Sequence, residues 1–126
     1  MYNINISNGE LIDKYTILCI KQIKIKDVNK LEFITKEKNE LQKFVFELKD
    51  RNKIDNLILD LQKVNLKLWS IEDNLREKEK KNSFDQNFID LARSVYINND
   101  KRAEIKLEIN KITKCKIREI KFYSNY

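Results

Sequence analysis

The near absence of helix-breaking residues constrains this chain more than any other feature. Its 126 residues include no proline and a single glycine, Gly9. Proline and glycine are the residues that most disfavour a helix interior, so a helix that starts in this chain meets few residues that would stop it. Hydrophobic residues make up 41% of the chain and charged residues 37%, which suits helices with one buried and one solvated face. We therefore predict an all-α fold with one domain over residues 1–126.

Hydrophobic periodicity divides the chain into four to five helices. Ser7 and Glu10 form a capping-box pattern at the start of the first helix, and Asp27 and Ser83 occupy the cap positions of the second and fourth. The third helix keeps a spacing of three and four between apolar residues over about three heptads, which predicts one arm of a long antiparallel hairpin. The predicted ranges are residues 9–26, 28–48 and 54–81, a fourth helix from 84 to a break at 98–100, and a fifth from 100 to 113.

The two ends of the chain are predicted to be less regular. Tyr2, Ile4 and Ile6 alternate with polar residues, as in a short extended arm. The C-terminal tail after residue 113 fits either a helical continuation or a strand that pairs with this arm.

A second stripe of residues runs beside the apolar seam of the third helix. Asn65, Trp69, Glu72 and Arg76 are spaced by four, three and four, so they share one face of the helix. Together with polar groups of the next helices and of the first, this stripe predicts a cleft that binds a small anionic ligand. Trp69 and Tyr96 would stack on the ligand, the arginines would bind an anionic group, and the carboxylates would hold hydroxyls or a metal. The candidate ligand-binding residues are Trp69, Glu72, Asp73, Arg76, Arg93, Tyr96, Asn99, Asp100, Arg102, Asp13 and Lys14.

The same residues also have simpler interpretations, which the sequence leaves open. Glu72 and Arg76 fit an exposed ion pair within one helix, worth ~0.3–0.5 kcal/mol. Asn99 or Asp100 fits the N-cap of the fifth helix. Taken together, the charged groups also fit a buried ion network that fixes the register of the helices.

Composition narrows the chemistry that this chain can perform. Histidine is absent, which argues against a zinc site and against a nucleophile activated by a histidine base. Any metal would be a hard cation such as Mg²⁺, held by carboxylates. Cys19 and Cys115 are far apart and are predicted to be reduced, and no apolar run is long enough to cross a membrane, so we expect a cytoplasmic location. The net charge of +6 comes mainly from the C-terminal tail, which argues against nucleic-acid binding by the cleft.

Three sequence blocks resemble a family of small uncharacterised bacterial and viral proteins, a domain of unknown function. The blocks are SNGELIDKYTILCIK (7–21), VNLKLWSIEDNLREKE (64–79) and FDQNFIDLARSVYINNDKRAEIKLEIN (84–110). The resemblance implies a link to surface-polysaccharide and glycosyltransferase gene neighbourhoods, and Tyr15 and Cys19 depart from the family's pattern. It also implies that the unusual polar residues form a family motif: Glu10, Asp13, Lys14, Lys21, Asn65, Trp69, Glu72, Asp73, Arg76, Arg93, Tyr96, Asn99, Asp100, Arg102 and Lys106.

Three functions follow from these observations. The first is binding of a nucleotide sugar or phosphosugar in the polar cleft, with a role in surface-glycan biosynthesis. The second is a structural or adaptor protein in which the polar residues form an internal ion network and the long seam forms a homodimer interface. The third is a Mg²⁺-dependent nucleotide pyrophosphohydrolase, suggested by the ExxD pair of Glu10 and Asp13 and the ExxE pair of Glu37 and Glu40.

Overall fold

The computed structural model describes residues 1–117 and Ile120, and within this part the chain is all-α. The four α-helices are α1 (Asn8–Lys24), α2 (Val28–Glu47), α3 (Asp55–Lys80) and α4 (Gln86–Ile112), with a short 3₁₀ turn at Arg51–Lys53 between α2 and α3. This confirms the predicted fold class. The arm before Ser7 forms no strand, and most of the tail with which it was predicted to pair lies outside the described residues.

The first two helices begin where their caps predict. The Ser7 hydroxyl accepts a hydrogen bond from the backbone N–H of Glu10 at 3.1 Å, and the Asp27 carboxylate accepts one from Lys30 at the same distance. Each cap satisfies a backbone donor that has no partner within the helix.

The predicted cap of the fourth helix is wrong by two residues, because Asp85 rather than Ser83 caps α4. The backbone N–H of Ser83 is already used to end α3, where it donates to the carbonyl of Lys78 at 2.9 Å while Asn82 takes a left-handed conformation. This is the Schellman arrangement that closes many helices. α4 therefore begins two residues later than predicted. The Asp85 carboxylate caps it by accepting a hydrogen bond from the backbone N–H of Phe88 at 2.9 Å.

The predicted break at residues 98–100 is also wrong. α4 runs through these residues without interruption and is 27 residues long. Asn98 is buried, and its side-chain amide donates to the carbonyl of Ser94, one turn earlier, at 2.7 Å. Asn99 and Asp100 therefore lie inside the helix and cap nothing. The turn preference of asparagine and aspartate is a weak bias, and tertiary packing overrides it here.

The helices pack around a small core with α1 at its centre. α3 and α4 form the predicted antiparallel hairpin, ~39 Å long at about 1.5 Å per residue. Contacts near the start of α1 reach the end of α4, so α1 runs antiparallel to α4 and parallel to α3, while α2 folds back along α1. The fully buried apolar side chains of the core are Ile12, Val45, Ile54, Leu61 and Ile109.

The apolar seam of the third helix is part of this core. Ile54, Leu61 and Ile71 of this seam are at most 5% exposed within a single chain. Cys19 and Cys115 are free thiols, both half-buried. No helix of the described part is long and apolar enough to span a membrane.

Candidate functional site

The single glycine sets the distance between α1 and α4. The backbone N–H of Gly9 donates to the side-chain oxygen of Asn110 at 2.7 Å. A Cβ atom at this position would lie 2.5 Å from the backbone oxygen of Lys106, closer than real contacts allow. Only glycine lets the two helices approach this closely, and the next turns of α1 are thereby held against α4.

A buried polar cluster, the Asp13 cluster, ties three helices together one turn further along. It consists of Asp13 and Thr16 on α1, Asn65 on α3 and Arg102 on α4. The Asp13 carboxylate is 1% exposed and accepts hydrogen bonds from Arg102 Nε at 2.8 Å, from Arg102 Nη2, and from Asn65 Nδ2 at 2.9 Å. Asn65 also donates to the Thr16 hydroxyl at 2.9 Å. The guanidinium and the amide replace the water that the carboxylate loses on burial, so its oxygens keep hydrogen-bond partners.

A second ion pair lies beside the cluster, towards Gly9. Lys106 Nζ is 2.6 Å from Glu10 Oε2 and 4.0 Å from Asp13 Oδ2, and Lys106 is buried. Two acids of α1, Glu10 and Asp13, thus face two bases of α4, Lys106 and Arg102. Ion pairs of this kind between two helices can hold them in register, which is what the ion-network interpretation requires.

An open cleft of about 510 Å³ lies between α1, α3 and α4, next to the cluster. Ile17 and Ile20 of α1 form one wall, and half-buried Trp69 of α3 forms another. The polar stripe predicted on the third helix, from Asn65 to Arg76, faces this space. The lining residues are Ile17, Ile20, Asn65, Leu68, Trp69, Glu72, Asp73, Arg76, Val95, Asn99 and Arg102.

The charged groups of the cleft are already paired in part. Arg76 Nε lies 3.5 Å from Glu72 Oε2, and both side chains are more than half exposed, so this pair is weak and easily exchanged. Arg102 donates to Asp13, which lies directly behind it. Asp73 is the second carboxylate of the lining and is exposed.

Five predicted site residues are not among the residues that line the cleft, and one of them, Asp13, lies behind Arg102 in the Asp13 cluster. Arg93 and Tyr96 are exposed and contact each other, with Arg93 Nε 3.4 Å from the Tyr96 hydroxyl, a hydrogen bond that raises the pKa of Arg93. Asp100 is half-buried elsewhere on α4, and Lys14 lies on the exposed side of α1, 4.0 Å from Glu10. Because α4 is one continuous helix, residues 95, 99 and 102 share the face towards α1, and residues 93, 96 and 100 point well away from it.

Sequence reasoning also missed several residues that build the site. Gly9, Thr16 and Asn110 fix the helices around it, and the apolar walls were not assigned. Thr16 follows Asp13 by three residues and so shares its face, which was a readable signal. Asn110 interrupts an apolar stripe between Ile109 and Ile112, which marks a polar residue that needs a buried partner.

The arrangement of carboxylates bears on metal binding. Within residues 1–117, no group of three or more Cys, Asp or Glu side chains is placed to hold a metal ion. Glu10 and Asp13, the predicted ExxD pair, contact Lys106 and Arg102 instead. The predicted ExxE pair, Glu37 and Glu40, is exposed on α2.

Comparisons of the chain with protein-family models, with curated proteins and with solved structures found no match. The resemblance to a family of uncharacterised proteins therefore stays a prediction, and the argument for function depends on the geometry of the cleft.

Proposed function

We propose that the cleft binds a small ligand that combines a ring, hydroxyl groups and an anionic group, as nucleotide sugars and phosphosugars do. The observation that carries this proposal is the position of Trp69. A half-buried indole forms one wall of an open cleft whose rim holds both carboxylates and an exposed guanidinium. Ligand sites commonly combine apolar walls with a few convergent polar groups, and this volume lies within their usual range of about 300–1,000 Å³.

Each lining group has a role in this proposal. The face of Trp69 stacks against the ligand's ring, Arg76 binds its anionic group, and Asp73 and Asn99 accept hydrogen bonds from hydroxyls. The Asp13 cluster holds Arg102 in place at the base of the cleft, so that its position does not depend on the ligand.

The single tryptophan provides a direct test. Titration with hexose 1-phosphates and nucleotide sugars, followed by Trp69 fluorescence and by calorimetry, should show saturable binding. Trp69→Ala should weaken binding, measured by calorimetry, by about tenfold or more, since an aromatic platform contributes ~1–3 kcal/mol. Tyr96→Ala is the matched control, an exposed aromatic residue outside the cleft. The proposal fails if none of these ligands binds at concentrations up to about 10 mM. This range includes weak binding, since a Kd of ~1 mM corresponds to a binding free energy of only about −4.1 kcal/mol.

The second candidate is a structural or adaptor protein, and one observation favours it. The Asp13 cluster and the Glu10–Lys106 pair are satisfied inside the chain, as a network that fixes helix register would be. Of the apolar seam predicted as a dimer interface, Ile54, Leu61 and Ile71 are buried within the single chain and the other residues are half-buried. Phe33 and Phe44 are 77% and 58% exposed and lie eleven residues apart on one face of α2. If this candidate is correct, light scattering will show an oligomer that Phe33→Ala with Phe44→Ala disrupts.

The pyrophosphohydrolase is less well supported by this geometry. Its predicted acids are not gathered around one cleft. Glu10 and Asp13 on α1 form ion pairs with lysine and arginine of α4, and Glu37 and Glu40 on α2 are exposed. A phosphate-release assay over common nucleoside triphosphates with Mg²⁺ would show activity if this function were present.

A further inference from the structure

Asn65 is the most deeply buried polar residue of the cleft lining. It is 6% exposed, whereas the other polar residues of the lining are half-buried or exposed. Its side-chain nitrogen, Nδ2, donates to Asp13 Oδ1 and to the Thr16 hydroxyl, both at 2.9 Å. Both N–H groups of the Asn65 amide are therefore used in contacts with α1.

The partners of Asn65 allow only one orientation of its amide. The Asp13 carboxylate is paired with Arg102 and can only accept hydrogen bonds. The Thr16 hydroxyl donates its own hydrogen to the backbone carbonyl of Asp13 at 2.8 Å, so it also faces Asn65 as an acceptor. An amide oxygen turned towards these two acceptors would be repelled, and Nδ2 must therefore face them.

The side-chain oxygen of Asn65, Oδ1, is left as an acceptor that no described residue uses. It is not sealed inside the protein, because Arg51 Nε is the only fully buried polar side-chain atom without a partner within the described part of the chain. Since Asn65 lines the cleft, Oδ1 is the polar atom that it offers to a ligand. A fixed acceptor in a mostly buried position favours a ligand group that donates a hydrogen bond.

The order of the lining residues along α3 indicates which part of a ligand reaches Asn65. At about 1.5 Å per residue along the helix axis, Asn65 lies ~6 Å before Trp69, and Arg76 lies ~10 Å after it. A ligand whose ring lies on Trp69 and whose anionic group binds Arg76 therefore directs the opposite edge of its ring towards Asn65. In a hexose 1-phosphate, the ring atom opposite the phosphate-bearing C1 is C4.

We infer that Asn65 is a specificity-determining residue, whose Oδ1 accepts a hydrogen bond from the C4 hydroxyl of a hexose stacked on Trp69. The inference rests on the proposed function and states which edge of the sugar the cleft recognises. It applies to a hexose phosphate and to the hexose of a nucleotide sugar alike, because both carry their phosphate on C1. Asp13 and Thr16 hold the amide, so it cannot turn to follow a C4 hydroxyl of the other configuration.

Pairs of hexose 1-phosphates that differ at one carbon test this inference. Glucose 1-phosphate differs from galactose 1-phosphate only at C4, and from mannose 1-phosphate only at C2, next to the phosphate. Each is titrated by calorimetry into wild type, Asn65→Ala and Thr16→Val. Thr16→Val is the matched control, because it removes one hydrogen bond of the same buried amide, leaves Asn65 Oδ1 in place and does not change the cleft lining.

Wild type should bind glucose 1-phosphate and galactose 1-phosphate with affinities that differ by about three- to tenfold, the effect of one neutral hydrogen bond. Glucose 1-phosphate and mannose 1-phosphate should differ by less than about twofold. Asn65→Ala should bring the C4 pair to within about twofold of each other, because the acceptor is gone. Thr16→Val should keep the C4 preference even where it weakens binding of all three ligands, because Asp13 still holds the Asn65 amide.

A measurement on wild type tests the inference even if Asn65→Ala does not fold. The side-chain carbonyl ¹³C signal of Asn65 should move downfield when the preferred C4 epimer binds, because accepting a hydrogen bond deshields the carbonyl carbon. The other epimer should move it less. The two Nδ2 protons, already bonded to Asp13 and Thr16, should exchange slowly with solvent in both states.

The opposite results separate this inference from the proposal beneath it. Equal affinities for the C4 pair, or a C4 preference that Asn65→Ala leaves intact, overturn the inference while the proposed function stands. The same holds if Asn65→Ala weakens all three ligands by one common factor, as loss of a merely structural residue would, or if the Asn65 carbonyl signal responds to neither epimer. If neither hexose phosphates nor nucleotide sugars bind, the proposed function fails and the inference fails with it.

Discussion

Replacing the two ends of the buried ion pair, singly and together, should show that Asp13 and Arg102 act as one unit. Asp13→Leu leaves a guanidinium and the Asn65 amide without their shared acceptor, although the Arg102 side chain is 30% exposed and can partly hydrate. Arg102→Met leaves a carboxylate that is 1% exposed. Breaking a buried pair from one side costs ~3–5 kcal/mol, and the exposure of Arg102 places both changes near the lower value.

The double variant should be far less destabilised than the sum of the two. With both charges removed, leucine and methionine can pack against each other. Asn65 loses one of its two acceptors and keeps Thr16, and Lys106 keeps Glu10. We expect each single variant to lose about 3 kcal/mol of unfolding free energy and the double variant about 2–3 kcal/mol. The coupling energy is then about 3–4 kcal/mol.

Urea denaturation followed by far-ultraviolet circular dichroism measures these free energies. The control is the same cycle on the exposed pair Glu77 and Lys81, for which Glu77→Leu and Lys81→Met should couple by ~0.5 kcal/mol or less. If the Asp13 and Arg102 variants are additive within about 0.5 kcal/mol, the cluster does not act as a unit and the reasoning is refuted.

Three further predictions follow from the helix ends and from the packing of α1. Gly9→Ala should destabilise the fold by about 1–3 kcal/mol in urea denaturation, because the clash with the Lys106 carbonyl outweighs the gain of about 1 kcal/mol in helix propensity; a more stable variant would contradict the close approach. The pKa of Asp85 lies below its ordinary value of 3.8, because it accepts a hydrogen bond from the Phe88 N–H and one from a lysine. Its contribution to stability is present above that ordinary pKa and is lost as the pH falls through the lowered one, so wild type should lose its advantage over Asp85→Asn between about pH 5 and pH 2 in thermal melts; a constant difference would argue against it. The amide of Asn99 should exchange slowly with deuterium, as in mid-helix, whereas a helix break there would give fast exchange.

The sequence carried most of the information about the fold. With no proline and one glycine, helix starts were marked by caps and helix faces by apolar spacing, so three of the four helices were located to within a few residues. The errors fall on α4, where local preferences misled. Ser83 resembles a cap but its backbone closes α3, and Asn98 resembles a turn residue but bonds back into its own helix.

The residues of the candidate site were predictable only where they lie on the same helix. Trp69, Glu72 and Arg76 share a face of α3, and that face does line the cleft. Which residues of other helices join them depends on the rotation of α4 about its axis. Arg93 and Tyr96 share a face because they are spaced by three, but this spacing does not decide whether that face points to the cleft.

Side-chain contacts between different helices could not be predicted from the residue spacing within one helix. Nothing in the sequence states that Asp13 meets Arg102, 89 residues away, or that Gly9 meets Asn110. The sequence therefore assigned Arg102 to an anionic ligand, whereas the structure pairs it with the buried Asp13. The charge pairing around the cleft could be described only from the structure.

The central claim is that the Trp69 cleft binds a phosphosugar or a nucleotide sugar, and nuclear magnetic resonance tests it most directly. Addition of a hexose 1-phosphate or of the corresponding nucleotide sugar to ¹⁵N-labelled protein should shift the indole N–H of Trp69 and the amides of Arg76 and Asn99, with saturation at millimolar ligand or below. The amides of Phe33 and Phe44 on α2 should stay in place. Shifts confined to α2, or none at all across the hexose series, would contradict the claim.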